Sequence, residues 1–216
     1  HHMENRLNPT YVKDALRRLA GSNVSAFGAD THQFQMKPTL GEREVSAFEA
    51  LHGVRLPDDY RHFLSHIGNG GAGPSYGVFP LGYMDDVGSC LKRWSQGDGF
   101  VGLPSRLFIY SEPWNDTSGM PKWDRDENTH NAYDEAMDKF EKRYWSSSLM
   151  NGAIPICHEG CALRIWLVVA GEEAGDLWHD RRADYRGLSP VTLKNGSRAT
   201  FSSWYSEWLE DCLALL

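Results

Sequence analysis

Two periodicities, and where each lies along the chain, constrain this fold more than any other feature. Apolar residues recur at helical spacing near both ends, whereas three strand-like runs, at 154–157, 162–170 and 176–179, are grouped together. Gly171 and Gly175 bound the short connection between the last two runs, a turn typical of a hairpin, so that pair is antiparallel. A sheet of this kind must bury a face, and flanking helices are the elements available to cover it. The pattern therefore predicts an α+β fold: one domain over residues 3–216, with a mostly antiparallel central sheet and helices packed on one face. No internal repeat, low-complexity tract or linker divides the chain.

The helices have legible boundaries. Tyr11, Val12, Ala15, Leu16 and Leu19 form an opening stripe stopped by Gly21. After a polar connection at 22–38, Thr39 with Glu42 has the spacing of a capping box ahead of Val45, Phe48 and Leu51. Pro57 and Asp58 then open a third helix, with proline where its missing N–H costs nothing and acids in the first turn. Its stripe is Tyr60, Phe63, Leu64 and Ile67, predicted to pack on the sheet, and Gly68, Asn69, Gly70 and Gly71 end it abruptly. Residues 76–83 read as an extended edge, 87–94 as a short helix or turn, 107–110 as a strand, and 131–149 as a further helix. A closing helix from about Ser202 carries Trp204, Trp208, Cys212 and Leu215 on one stripe, with Tyr205, Leu209 and Leu213 beside it.

Charge narrows the function. Twenty-two basic against 29 acidic residues give a net charge of -7, the wrong sign for a non-specific nucleic-acid binder and the right one for a basic partner. His1 and His2 read as a tag remnant before Met3. No signal peptide follows, and no apolar run nears the roughly 18 residues of a membrane span, so the expected setting is the cytoplasm without membrane attachment. Four cysteines, Cys90, Cys157, Cys161 and Cys212, are too few and too irregular for a disulfide framework.

Catalytic motifs are incomplete. Cys157, His158 and Cys161 are metal-type ligands, but the second pair that a structural zinc site needs is missing, and a small buried thiol is the ordinary reading of Cys157. A Cys–His nucleophile drawing on His158 or His179 lacks an orienting carboxylate and an oxyanion hole in the local sequence. Glycines at 68–73 lack the Lys-Ser/Thr ending of a phosphate loop and follow a helix rather than a strand. Asp58 with Asp59, and Asp85 with Asp86, have no neighbours that would separate their pKa values. No catalytic residue, metal or cofactor is expected.

The aromatic count is more informative. Of eight Trp, Trp204 and Trp208 lie on a helical stripe and Trp166 and Trp178 on strands, all four being core or core edge, while Trp94 and Trp145 are unassigned. Trp114 and Trp123 fall in a long acidic loop, 111–131, with Glu112, Asp116, Asp124, Asp126 and Glu127 against Lys122 and Arg125. Trp among carboxylates suits a basic protein partner, which makes Trp114, Asp116, Trp123, Asp124, Asp126 and Glu127 the candidate partner-binding residues.

The run Leu56, Pro57, Asp58, Asp59, Tyr60, Arg61, His62, Phe63, Leu64, followed by Gly68, Asn69, Gly70 and Gly71, resembles the SMI1/KNR4 family, the SUKH superfamily. Tyr76 to Gly82, the Ile154-Pro155-Ile156 strand with His158 and Gly160, and the hairpin Val168, Val169, Ala170, Gly171, then Gly175, Asp176, Leu177, Trp178 and Asp180 are similar to it in order. The chain departs from the pattern at Cys161 and Ala162 and in the long insertion at 112–149. The resemblance implies an α+β fold without catalytic residues. It also implies a bacterial immunity protein that binds and neutralises a cognate polymorphic toxin, often a nuclease or other nucleic-acid-modifying domain. The alternatives are a regulatory scaffold with an endogenous partner, as in fungal relatives, and a Cys/His-dependent enzyme.

Overall fold

A computed structural model describes residues 5–85, 90–125 and 130–216. Its helices are α1 (Pro9–Ala20), α2 (Ala29–His32), α3 (Glu42–His52), α4 (Asp58–His66), α5 (His130–Tyr144) and α6 (Phe201–Leu213). The strands are β1 (Tyr83–Asp85), β2 (Leu91–Arg93), β3 (Ala153–Gly160), β4 (Leu163–Val168), β5 (Leu177–Asp180) and β6 (Leu188–Pro190). β1 and β2 form an antiparallel pair, and β3-β4-β5-β6 form an antiparallel sheet in that order. The fold is the α+β single domain that the two periodicities predict, with one hydrophobic core running from Leu7 to Cys212. No helix among the described residues is long and apolar enough to cross a membrane.

The ends of the helices show how sequence sets boundaries. Asn8 caps α1, its side-chain oxygen accepting from the Tyr11 N–H at 3.0 Å. α3 starts at Gly41 rather than Thr39: the Glu44 carboxylate, two residues beyond the expected partner, accepts the Gly41 N–H at 3.1 Å. Leu51 faces water at 71% exposure, so the α3 stripe is narrower than its spacing implied. The sequence reading places Phe63 against the sheet; its aromatic contacts are on α6. Its ring lies 4.7 Å from that of Phe201 and 5.2 Å from that of Tyr205, so α4 docks on α6, which also touches α1. Asn69 ties the glycine turn to the chain beyond, its side-chain oxygen accepting from Leu81 N–H at 2.8 Å. Gly70, at φ 82°, would bring a Cβ within 2.6 Å of the Val78 carbonyl, so a side chain is excluded there.

Two predicted elements differ. Within 87–94 the described part is strand β2, not a helix, because its Leu91–Arg93 main chain pairs with Tyr83–Asp85; residues 87–89 lie outside the described set. Residues 107–110 alternate outward and inward like a strand, yet the segment joins the sheet region through a Phe108 N–H to Ala170 carbonyl bond of 2.9 Å and makes no ladder. Phe108 and Tyr110 cover Trp178, with ring centroids 5.1 and 6.2 Å away.

Both outer edges of the sheet are paired. Val78 bridges Cys157 on β3, with the Phe79 N–H donating to the Ile156 carbonyl at 2.7 Å. At the other edge Trp114 and Leu188 exchange main-chain bonds of 2.9 and 2.8 Å. Trp114 therefore extends the sheet beyond β6, a strand that the sequence reading did not include.

Candidate partner-binding surface

The Cys/His cluster points in three directions. Cys157 is buried and its thiol donates to the Pro74 carbonyl at 3.2 Å. Burial pushes its pKa well above the usual thiol value, favouring the neutral thiol. His158 turns its Nδ1 to Asp85 at 3.3 Å, and Cys161 is exposed in the turn between β3 and β4 at φ 52°. His179 faces Glu159 at 3.1 Å. Among the described residues no group of three or more His, Cys, Asp or Glu is placed to hold a metal ion.

The paired carboxylates are structural in their contacts. Asp58 takes a two-point contact from the Arg6 guanidinium, both bonds at 2.7 Å. Asp59 accepts the main-chain N–H groups of Tyr60 and Ser202 at 2.8 and 3.0 Å, linking α4 to the start of α6. Asp85 receives Arg164 Nε at 2.9 Å. A cleft of about 390 Å³ beside it, lined by Met36, Tyr76, Val78 and His158, thus meets an acid already committed to a buried guanidinium. Asp86 lies outside the described residues.

The six candidate residues divide by position. Trp114 is half-buried, its ring stacked on Tyr144 at 5.6 Å, so it is anchored in the sheet edge and core rather than carried on a free loop. Asn115 fixes the next position, accepting from the Tyr144 hydroxyl at 2.6 Å and donating to the Tyr185 carbonyl at 2.8 Å. Asp116 is exposed and pairs with Arg143 at 3.1 Å, while bonds from the Ser118 hydroxyl and N–H hold its carboxyl below the usual range. Trp123 is 47% exposed and packs its ring against His130 and Tyr133 at the start of α5. Asp124 is exposed, and Asp126 and Glu127 lie outside the described residues.

α5 connects these pieces. Trp123 touches its first turn and Asp116 its last, a separation of about 18 Å along the axis at 1.5 Å per residue. They do not form one cluster, yet both fit within one partner-sized footprint. Between them α5 exposes Asp134, Glu135 and Asp138, acids that the loop-centred reading missed, together with the bases Lys139, Lys142 and Arg143. The signal was available: with Tyr133, Met137, Phe140 and Tyr144 on the apolar stripe, helical spacing turns Glu135 and Asp138 away from the core and leaves Asp134 on the flank.

Fold and surface together define an α+β domain that presents an exposed Trp, Trp123, with exposed acids on α5 and on the loop before it. The chain belongs to the SMI1/KNR4 family (SUKH-1), whose model matches residues 39–186, a family known for immunity proteins associated with toxin partners. No curated protein and no solved structure matches it significantly.

Proposed function

We propose that this protein is a non-catalytic immunity protein of the cytoplasm that binds the toxin domain encoded beside it and blocks its action on nucleic acid. The observation that carries this reading is the exposed Trp123, packed on the first turn of α5 and followed in sequence by the exposed acids Asp124, Asp134 and Glu135, on a fold of the immunity family. A nuclease presents a basic cleft to its substrate, so an acidic binding face accelerates encounter by electrostatic steering, and Trp123 supplies an aromatic anchor already held by two rings. Asp116 and Asp124 extend the negative surface from the loop, and Trp114 sets the loop's position from the sheet edge.

Co-expression with that toxin tests the function: cells should survive and the two proteins should co-purify, and failure of both removes the proposal. The surface is tested separately by Asp134→Lys with Asp138→Lys. Association should slow by about tenfold or more and lose part of its salt dependence. An unchanged on-rate would exclude α5 as the docking face.

A further inference from the structure

Leu107 and Ile109 are 66% and 78% exposed, among the most exposed large apolar residues of the chain, and they stand on one side of an extended segment. Phe108 and Tyr110, alternating with them, point into the core. The Phe108 N–H is bonded to Ala170, so the main-chain groups of Leu107 and Ile109 point the other way, where no hydrogen-bond partner lies among the described residues. The two outer edges of the main sheet are closed by Val78 and Trp114, whereas this segment presents an open edge with apolar side chains beside it. An open groove of about 550 Å³ runs along it to Gly171, Glu172 and Glu173.

Charge selects the occupant. Glu172 is exposed in the groove wall, Glu112 is exposed one residue beyond Ser111 at its end, and Glu173 is paired with Arg198 at 3.2 Å, so the first two carboxylates face a visitor. A second copy of this chain would bring the same acids against each other. In sequence the segment leads on to Trp114, and the Tyr110 and Trp114 rings are 5.9 Å apart, so the core side of the segment is tied to the stretch that leads to Asp116.

We infer that the toxin docks by adding an extended segment to the Leu107–Ile109 edge, its alternate apolar side chains covering Leu107 and Ile109 and its Lys or Arg side chains meeting Glu112 and Glu172. Main-chain bonds along such an edge supply affinity, and the side-chain pattern supplies specificity. This inference rests on the immunity reading and locates part of its interface.

The test uses the purified protein and an inactive form of the toxin domain encoded beside it. Binding by the unsubstituted protein establishes the immunity reading, and its absence removes that reading and this one together. Leu107→Asp with Ile109→Asp changes only exposed side chains, so the variant should keep the parent melting temperature. Its affinity for the toxin domain should fall about thirtyfold or more. In the unsubstituted complex, the Leu107 and Ile109 amides should exchange hydrogen more slowly than in the free protein. Affinity within about threefold of the parent, with both amides exchanging at the free rate, would overturn the inference and leave the immunity reading in place. A homodimer in sedimentation that the double variant dissolves would assign the edge to a second copy and overturn it as well.

Discussion

Asp180→Asn is the most searching perturbation of the scaffold, because one carboxylate there organises four donors. Asp180 is 2% exposed and Arg182 0%. The carboxylate accepts Arg182 Nε at 2.9 Å, Arg182 Nη2 at 2.8 Å, the Arg182 main-chain N–H at 3.1 Å and Trp166 Nε1 at 3.2 Å. Asparagine keeps the volume but removes the charge and turns an N–H₂ toward a guanidinium that can only donate. Arg182 retains the Tyr144 carbonyl at 3.2 Å and the face of Trp145 at 4.6 Å, neither of which neutralises it. Breaking a buried pair and stranding one charge costs about 3–5 kcal/mol. For a chain of this size that is a fall of roughly 6–20 °C in melting temperature. Urea unfolding followed by tryptophan fluorescence measures it directly. Adding Arg182→Met to Asp180→Asn removes the stranded charge and should restore at least about 1 kcal/mol despite the lost contact with Tyr144. A loss below about 1 kcal/mol for the single variant, or a double variant worse than the single, would show that the pair does not behave as a dry, mutually dependent unit.

Two further outcomes follow from the core and its rim. Phe63→Ala empties a fully buried site between Phe201 and Tyr205 and should cost about 3–5 kcal/mol in the same assay; under 1 kcal/mol would mean that α4 and α6 close the gap. Burial, and then Glu173, raise the Asp176 carboxyl to about 6, above the roughly 4 of an unfolded chain, so the folded state holds that proton more tightly. Its contribution to stability is present below about pH 4 and is lost as the pH rises through about 6; Asp176→Asn should therefore flatten the stability profile across that window, and an unaltered slope would assign it to other groups.

The sequence revealed elements built from local pattern and concealed contacts made between distant residues. The α4 stripe, its proline start and glycine stop, and the β4–β5 hairpin all lie within short windows of periodicity and turn chemistry. β6 is three residues long and ends in Pro190, too short to show alternation, and its pairing with Trp114 joins positions far apart in the chain. Trp114 accordingly read as a loop residue. Buried charge was concealed for a different reason, since Arg and Asp are read as surface unless something marks them as paired. Arg164 carried such a mark: it interrupts an apolar run whose neighbours Leu163, Ile165 and Trp166 leave no solvated face. The sequence reading of a candidate surface, acids with Trp in one loop, could not include the exposed residues of α5 without knowing which side of that helix faces water.

Scaffold and surface answer to different physical demands. Asp85 with Arg164 and Asp180 with Arg182 are buried pairs in which a change to either member strands the other, so these positions hold the hairpin and its neighbours in one arrangement. Leu107, Ile109, Trp123, Asp134 and Asp138 all lie in the connection between β2 and β3, with side chains exposed enough that substitution disturbs little packing. That connection is anchored to the frame by Phe108 on Trp178 and Trp114 on Leu188, and braced within itself by Trp114 on Tyr144 and Arg143 on Asp116, contacts that leave its outer face open. Under the proposed immunity reading this separation is an advantage, because partner choice can be altered on the connection at little cost to folding, while the frame that presents it is left intact.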